Sequence, residues 1–393
     1  MQVNGERLLH DLRTLRTFGA EGTGVRRPAL SAADVAAREW LCERFAEAGL
    51  DASIDGFGTV FGRSRVQGSA IVIGSHSDTQ PLGGWLDGAY GVICGLEVAR
   101  SLPDVAIDVV SWQDEEGAFN GFVGSRAFVG DDISADLVLM EQPLRDAGWW
   151  GRPVLLGDRS RQVAYLEAHI EQGGRLEATG RRLGAVTGIV GIRQQVVRFE
   201  GRRNHAGTTP MSMRADASVS MVRFLTALDA AFSAVTGPDS VWTHGRMSVE
   251  PGAPSVIPDL AEVTVQYRDA DERVLAGLDA AFAECLARAG DQGVRVNVGA
   301  DEYQVPPATM DSRLVDAVAA ACEAEAPGMW MRQPSGAAHD AQVVSRLLPS
   351  AMLFVPSIGG VSHAADEDTT ADDLTLGCQT LARTVLSLQQ LWS

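Results

Sequence analysis

Short apolar runs that alternate with segments of helical periodicity are the feature that most restricts how this chain can fold. Four of them have the composition of strands buried on both faces, at residues 70–74, 107–112, 163–170 and 351–355. Apolar residues recur at helical spacing at residues 31–49, 88–102 and 372–391. Ser31 precedes the first of these segments and has the side chain of an N-cap. The alternation predicts an α/β fold with a central mixed sheet flanked by helices.

The middle of the chain has a different pattern. Its elements follow in the order strand, helix, strand, helix and short strand, at residues 191–200, 215–232, 260–268, 272–289 and 294–298. The first two strands have an alternating pattern of apolar and polar residues. With 393 residues, the chain is also longer than one hydrophobic core usually supports. We therefore predict a smaller α+β domain at residues 190–305, inserted into a larger domain formed by residues 1–189 and 306–393.

The charge balance limits the expected partners. The sequence has 51 Asp and Glu residues against 33 Lys and Arg residues, a formal net charge of -18. A surface of this sign repels nucleic acid and anionic lipid, so we expect neither nucleic acid nor a membrane as a partner. The N-terminal residues lack the apolar core of a signal peptide, and most of the five cysteines lie in apolar or helical contexts. These features predict a cytoplasmic protein.

Potential metal ligands follow the strand-like runs. In open α/β sheets, functional groups collect just beyond the carboxyl ends of the strands. The groups at these positions are His76, Asp78 and Asp87 after the first run, Glu115 and Glu116 after the second, His169 at the end of the third and His363 after the fourth. Histidines mixed with carboxylates suit zinc, manganese, cobalt or nickel, and a carboxylate can bridge two such ions.

Taken singly, each of these features has a simpler explanation. His76 and Asp78 fit a polar turn. Glu115 and Glu116 fit a solvated loop, and His169 fits a hydrogen-bonded core histidine. However, the chain has only seven histidines, and three of them end predicted strands beside carboxylates. One site with two ions accounts for all of these residues together, so we predict a binuclear metal site.

Local spacing adds detail to this prediction. Residues two apart in an extended segment share a face, so Asp78 can orient the imidazole of His76. The adjacent Glu115 and Glu116 point in different directions. One of them can therefore bind metal while the other faces a substrate.

Five motifs, in this order, make the chain resemble a known family. They are GSHSDTQPLGGWLDG at 74–88, DEEG at 114–117, LEAHIEQG at 166–173, HAGTTPM at 205–211 and SIGGVSHA at 357–364. The whole chain is similar to the M20 metallopeptidase-like amidohydrolases, and within them to the hydantoinase/carbamoylase branch. That branch contains N-carbamoyl-L-amino acid hydrolases, β-ureidopropionases and allantoate amidohydrolases.

The resemblance implies two divalent metal ions per subunit. The implied ligands are His76 and His169 for one ion, Glu116 and His363 for the other, and Asp87 for both. Glu115 would be the general base, which takes a proton from the attacking water and passes it to the leaving nitrogen. Asp78 would stand behind His76. Zinc, manganese, cobalt and nickel are not distinguished by these ligands.

The resemblance also implies how a substrate is held. Gln172 matches the residue that hydrogen-bonds a carbamoyl group, and Arg268 matches the arginine that grips the substrate carboxylate. His205 matches a histidine of the inserted domain that reaches the partner subunit's active site and stabilises the oxyanion. The implied assembly is a homodimer through the inserted domain, which closes over the substrate as a lid. From the residues alone, His205 also fits a surface histidine, Arg268 a solvated charge and Gln172 a plain loop residue.

Three positions depart from the family pattern. Ser255 stands where an asparagine that helps to hold the substrate carboxylate is expected. Gln266 replaces an aspartate two residues before Arg268, and Ala338 replaces a glycine in the segment SGAAHD at 335–340. The departures at Ser255 and Gln266 concern recognition of the acid end of the substrate and leave the metal chemistry untouched.

Two further segments leave alternatives open. Gly336 and His339, in SGAAHD, are predicted to lie near the substrate, although His339 also fits a loop brace. Trp149 and Trp150 fit either the wall of a pocket or the anchor of a loop.

These features together predict a two-domain, metal-dependent hydrolase of a small molecule. The expected reaction is cleavage of a linear C–N bond in an N-carbamoyl compound, with release of ammonia, carbon dioxide and an amine. One alternative is a hydrolase of another small amide, such as an N-acyl amino acid. The other is a metal-binding homologue that senses a small molecule without catalysis. Glu115 argues against a sensor, because a pure binder has no use for a general base.

Overall fold

The chain divides into two compact units. The structure, a computed structural model, describes residues 2–290, 293–299 and 303–392, without the side chains of 390–392. The larger unit consists of Met1–Thr187 and Met310–Ser393, and the smaller unit is Gly188–Thr309. The role of the smaller unit as a lid and dimerisation domain stays a prediction.

Helices and strands alternate along the chain. Up to the start of the smaller unit they are α1 Gly5–Thr17, β1 Ala20–Glu21, β2 Gly24–Val25, α2 Ala32–Glu47, β3 Asp51–Ile54, β4 Val60–Arg63, β5 Ala70–His76, α3 Ala89–Ser101, β6 Ile107–Trp112, α4 Val123–Val129, α5 Ser134–Asp146, β7 Gln162–Ile170, α6 Arg175–Ala178 and β8 Leu183–Ile189. The smaller unit continues with β9 Gly191–Glu200, β10 Asn204–His205, α7 Ala217–Val235, β11 Val241–Glu250, β12 Val256–Ile257, β13 Leu260–Asp269, α8 Glu272–Arg288, β14 Arg295–Val298, β15 Tyr303–Val305 and β16 Ala308–Thr309. The chain ends with α9 Ser312–Glu325, β17 Trp330–Ser335, α10 Asp340–Val344, β18 Ser350–Val355 and α11 Ala371–Trp392.

The larger unit is built on a mixed sheet. Its strands lie in the order β8–β18–β7–β5–β6–β4–β3, and β17 also pairs with β8. Strand β5 is parallel to β6 and β7, and β18 is parallel to β7. Strands β3, β4 and β8 are antiparallel to their neighbours. Strands β5, β6 and β18 are buried along their whole length, as strands beneath helices are. The predicted α/β class, with a central mixed sheet flanked by helices, is confirmed.

Local signals set where the elements begin and end. Helix α2 starts after Ser31, whose side chain accepts a hydrogen bond from the Asp34 N–H at 3.2 Å, so the predicted N-cap is confirmed. Helix α3 starts after Gly88, which has a φ of +63°. Strand β5 extends two residues beyond the predicted run and ends at His76. This histidine therefore belongs to the sheet and not to the loop that follows it.

The smaller unit has an antiparallel sheet with the order β11–β13–β9–β14, and β15 also pairs with β9. Strand β13 alternates between buried and half-buried residues. Its buried side chains pack with those of α7 and α8, including Val263, Val265, Tyr267, Phe224, Phe232 and Phe282. Strand β11 was not predicted. It lies at the edge of the sheet and is mostly exposed, so it lacks the alternation that identifies a strand with one buried face.

Helix α7 is long and apolar enough to cross a membrane, by length and composition alone. Its residues Phe224, Leu228 and Phe232 are buried in the core of the smaller unit, and core helices pass the same test. Other faces of the helix expose Val219 and Val222. Helix α7 thus has one apolar face in the core of the smaller unit and further apolar side chains at the surface.

Candidate metal centre

Three histidines converge on Asp87 in the larger unit. His76 and His169 lie near the carboxyl ends of the neighbouring parallel strands β5 and β7, which meet at one edge of the sheet. Their Nε2 atoms are 3.8 Å and 3.2 Å from Asp87 Oδ1. His363 approaches the other oxygen, with Nε2 at 3.1 Å from Asp87 Oδ2 and 3.6 Å from Glu116 Oε2. Each oxygen of Asp87 therefore faces a different group of side chains.

These side chains form two sets that could each hold a metal ion. The ligand atoms of His76, Asp87 and His169 lie within 4.8 Å of one another, and so do those of Asp87, Glu116 and His363. Burial works against ionisation of Asp87, but hydrogen bonds with His169 and His363 hold its pKa well below the usual range. The donor set, with two imidazoles on one side and a carboxylate and an imidazole on the other, fits two divalent ions that share one charged carboxylate.

Backbone carbonyls orient two of the imidazoles. His76 Nδ1 lies 3.0 Å from the carbonyl oxygen of Asp78, and His169 Nδ1 lies 2.8 Å from that of Ile170. A carbonyl only accepts hydrogen bonds, so Nδ1 is a donor in both rings, and Nε2 of each ring faces Asp87. Nε2 is therefore the atom that each imidazole could offer to a metal ion.

The carboxylate of Asp78 contacts different groups from the one predicted. Its Oδ1 is 3.8 Å from His76 Nδ1, beyond hydrogen-bond distance. Its Oδ2 instead accepts the Glu116 N–H at 3.2 Å, and its Oδ1 lies 3.5 Å from Arg38 Nη2. Asp78 thus touches His76 through its backbone and holds the loop of Glu116 through its side chain.

Glu115 and Glu116 follow β6 and face different neighbours. The Glu115 side chain is 9% exposed, with Oε2 at 3.6 Å from His76 Nε2, and desolvation together with the charge of Glu116 raises its pKa well above the usual range. Burial and Asp87 raise the pKa of Glu116 to about 8. A bound cation would favour the ionised form of both carboxyls.

A third cluster of possible ligands, Glu167, His169 and His339, lies beside this centre. Its polar atoms already have protein partners. Glu167 accepts hydrogen bonds from the Ser75 and Tyr165 hydroxyls and from the Ala341 N–H. His339 Nε2 lies 2.8 Å from the Ser335 hydroxyl. This cluster is a hydrogen-bonded layer behind His169, and we do not assign it a metal.

Sequence reasoning missed three residues that support the centre. Gln80 donates from its side chain to Glu116 Oε2 at 2.8 Å and from its backbone to Oε1 at 3.2 Å. Arg38 is fully buried, pairs with Asp34 at 2.9 Å and donates to the Trp112 carbonyl at 2.9 Å. Glu367 accepts the Asp87 N–H at 3.0 Å. The i,i+4 pair of Asp34 and Arg38 is visible in the sequence, but it is typical of an exposed helix face, and nothing local marks the other two.

Comparison with known proteins assigns the family. The model of peptidase family M20/M25/M40 matches residues 72–387. The chain belongs to the M20 family. This M20 chain is 33% identical over 413 residues to an N-carbamoyl-L-amino-acid amidohydrolase of Rhizobium meliloti, an alignment that covers 99% of this chain and 98% of that protein. It is also 33% identical over 376 residues to the allantoate amidohydrolase of Bacillus subtilis strain 168, covering 88% of this chain and 89% of that protein.

A solved structure extends this likeness to the fold. The crystal structure of an amidase of the hydantoinase/carbamoylase family from Burkholderia phymatum matches with a TM-score of 0.94 and 49% identity, covering 100% of this chain and 99% of that one. The resemblance to the hydantoinase/carbamoylase branch is confirmed, and so is the predicted enzyme class, an amidohydrolase of the M20 family. Enzymes of this family are generally metal-dependent.

The predicted substrate contacts of the larger unit take two different positions in this M20 amidohydrolase. Gln172 is at the centre, with a φ of +57° and Nε2 at 3.1 Å from Asp87 Oδ2. Its Oε1 is buried and accepts no hydrogen bond from the described residues. His339 is buried behind His169, with the two rings 4.5 Å apart, and burial holds its pKa well below the usual range. Gly336 has open space where a side chain would be.

The predicted contacts of the smaller unit are His205, Ser255 and Arg268. His205 is exposed, and its Nδ1 accepts the N–H groups of Gly207 and Thr208 at 2.9 Å and 3.2 Å. Ser255 precedes the short strand β12 and accepts the Ala206 N–H through its carbonyl oxygen. Arg268 donates from Nε and Nη2 to Gln266 Oε1 at 3.0 Å and 2.8 Å.

Trp149 has a structural position. It is 1% exposed and packs in a cluster with Phe57, Val123 and Met140, so of the two alternatives it anchors its loop. Trp150 is partly buried against the same cluster, and the Arg145 guanidinium lies 5.0 Å from its ring.

Proposed function

We propose that this amidohydrolase uses two divalent metal ions to hydrolyse the ureido C–N bond of a small, carboxylate-bearing N-carbamoyl compound. The products are ammonia, carbon dioxide and the corresponding amine. The observation that carries the proposal is the arrangement around Asp87, whose two oxygens face separate sets of ligands. Two bound cations would supply an acidified water molecule and a Lewis acid for the carbonyl oxygen. Amide and ureido carbons are poor electrophiles, so the reaction needs both.

Glu115 is the proposed general base. Its carboxylate lies 3.6 Å from His76 Nε2, next to the position of the ion that His76 and His169 would hold. Desolvation raises the pKa of Glu115, so its carboxyl group can both accept a proton from water and give one up to the leaving nitrogen. Zinc, manganese, cobalt and nickel all suit the ligands, and the proposal makes no choice among them.

Gln172 favours a carbamoyl group over an N-acyl group. Its unsatisfied Oε1 is a buried acceptor beside Asp87, and a buried acceptor without a partner costs free energy. The terminal NH₂ of a carbamoyl group supplies a donor for this atom, whereas the methyl group of an N-acetyl compound cannot. Hydrolysis of an N-acyl amino acid is therefore the second candidate.

Two residues of the smaller unit fit the remaining tasks. Two backbone N–H groups point at His205 Nδ1, so the ring proton lies on Nε2, where it can be donated to a developing oxyanion. The neutral amide of Gln266 orients the Arg268 guanidinium without offsetting its positive charge, which suits binding of a substrate carboxylate.

We further infer that two copies associate through the smaller unit. Strand β11 is the edge of its sheet and exposes Val241 and Met247, and helix α7 exposes Val219 and Val222. An edge strand presents unpaired backbone groups, and two such edges can pair about a two-fold axis. In this dimer His205 would act in the partner's active site.

The five cysteines are free thiols, which favours a cytoplasmic location.

The deciding experiment is ammonia release by purified protein, stripped of metal and reloaded separately with zinc, manganese, cobalt or nickel. The substrates are N-carbamoyl α- and β-amino acids, allantoate, ureidoglycolate and the matching N-acetyl amino acids. We expect metal-dependent ammonia from at least one ureido compound. Free amino acid from the acetyl compounds alone would move the enzyme to the second candidate function. No turnover of any compound by the metal-loaded protein would contradict the proposal.

Two variants separate binding from chemistry. Glu115→Gln is expected to bind metal as the wild type does and to lose turnover by a factor of about 100 to 10,000. Gln172→Met keeps the size of the side chain and removes the acceptor, so we expect KM to rise more for the N-carbamoyl compound than for its N-acetyl counterpart. An equal rise for both would remove the argument for carbamoyl recognition.

A further inference from the structure

Glu367 joins the two loops that carry Asp87 and His363. It follows β18 in the chain, lies four residues after His363 and is 2% exposed. Its Oε1 accepts the N–H groups of Leu86 and Asp87 at 3.1 Å and 3.0 Å. Its Oε2 accepts the hydroxyl of Ser362 at 2.8 Å. One carboxylate therefore bonds the turn before α3 on one side and the neighbour of His363 on the other.

The turn at Asp87 is shaped to admit this carboxylate. A Cβ atom at Gly84 would overlap the carboxyl group of Glu367. Any residue other than glycine at position 84 would therefore displace either the turn or Glu367. Gly84, the second glycine in the sequence LGGWLDG, thus leaves room for a side chain 283 positions later in the chain.

The loop of His363 contains a strained residue. His363 has a φ of +53°, in the left-handed region that side chains other than glycine rarely adopt. Such a conformation costs free energy and persists when surrounding contacts determine it. The bond between Ser362 and Glu367 is one such contact, directly adjacent to the strained residue.

We propose that Glu367 is a positioning residue that sets the spacing between Asp87 and His363, and so the affinity for the ion held by Asp87, Glu116 and His363. This inference rests on the proposed metal-dependent function. Glu367 itself touches neither the ion nor the substrate. It acts through the backbone of Asp87 and through Ser362.

The test measures metal binding directly. Metal-free protein is titrated with Co²⁺ alone, and the number of ions, their affinities and the visible absorption spectrum are recorded. We expect two ions per wild-type chain. In Ser362→Ala and Glu367→Ala, one ion should bind about 10- to 100-fold more weakly, with a changed spectrum, and the other should bind as in the wild type. Glu367→Gln should stay close to the wild type, because its amide oxygen still accepts both N–H groups and its NH₂ can donate to Ser362.

A matched control lies in the same loop. Thr369 donates its hydroxyl to the Pro356 carbonyl at 2.7 Å and does not contact Asp87 or Ser362. Thr369→Val should destabilise the loop and leave both affinities unchanged, with thermal unfolding used to compare stabilities. If Ser362→Ala binds both ions as tightly as the wild type, or if Thr369→Val loses as much affinity, the inference is overturned. A wild type that binds no Co²⁺ would instead contradict the proposed function.

Discussion

At the scale of single residues, backbone carbonyls orient two of the imidazoles of the candidate metal centre. His76 and His169 each direct Nδ1 to a carbonyl oxygen, of Asp78 and Ile170 respectively. Both carbonyls lie in or directly beyond the strands that carry the histidines. The orientation of the imidazoles is therefore set when the sheet forms, before any ion binds.

The protonation of Glu116 and His363 leads to a first prediction. The hydrogen bond with Asp87 raises the pKa of His363 to about 9, and burial raises that of Glu116 to about 8. At pH 7 both groups hold a proton in the metal-free protein, and both must lose it to bind a cation. Binding of a metal ion by Asp87, Glu116 and His363 should release about two protons per chain. The apparent affinity for that ion should rise with pH until the pH exceeds both pKa values.

Calorimetry in buffers of different ionisation enthalpy measures this release. The observed enthalpy of metal binding at pH 7 should vary with the buffer, and the variation should shrink as the pH approaches 9. His363→Ala is a suitable control, because it removes one of the two protonated groups and should roughly halve the release from this set. Binding enthalpies independent of the buffer at pH 7 would show that these groups are already deprotonated.

At the scale of elements, the start of helix α3 gives a second prediction. Gly88 has a φ of +63°, and a Cβ atom there would overlap the His76 imidazole. Gly49, after helix α2, has a φ of +86° and open space around it. Gly49→Ala should lower the free energy of unfolding by about 1–2 kcal/mol and leave metal binding unchanged. Gly88→Ala also places a side chain at a positive φ, and it should in addition lose metal, because the Cβ atom displaces the ligand His76.

The comparison of the two glycine variants separates strain from displacement. Denaturant unfolding gives the stability of each variant, and Co²⁺ titration gives the metal content. Gly88→Ala with two tightly bound ions would mean that His76 moves without consequence for the centre.

At the scale of the whole molecule, the exposed apolar face of α7 gives a third prediction. Val222 is 58% exposed on that helix, in the proposed interface between two copies. Val222→Glu should therefore convert a dimer into a monomer, because a charge in an apolar contact is desolvated without a partner. Sedimentation velocity of the full chain measures the mass. Turnover should fall with dissociation, since the proposal places His205 in the partner's active site.

Val138 provides the matched control. It is 76% exposed on α5 of the larger unit, so Val138→Glu makes the same chemical change away from the proposed interface. This variant should retain the mass and the turnover of the wild type. A monomeric wild type that turns over substrate would overturn the dimer proposal.

The fold class and most of the candidate ligands could be predicted from the amino-acid sequence. Apolar runs of strand length and helical spacing are local properties, and they predicted β5, β6 and β7. Because chemistry collects at the carboxyl ends of strands, the same runs predicted that His76, Asp87 and His169 would lie together. The family motifs extended this to the enzyme class, which the comparisons confirmed.

The contacts that hold those residues in place depend on the tertiary fold. Glu367 contacts the Asp87 turn across 280 positions, and Arg38 reaches the Trp112 carbonyl across 74. The structure also places the His339 ring against that of His169, and it places Trp149 in a hydrophobic core. For both residues the sequence left alternatives open. Strand β11 escaped prediction for a related reason, since an exposed edge strand has little local pattern. Local periodicity specifies which face of an element is buried, but the partner on that face comes from distant parts of the chain, so it becomes known only when the chain has folded.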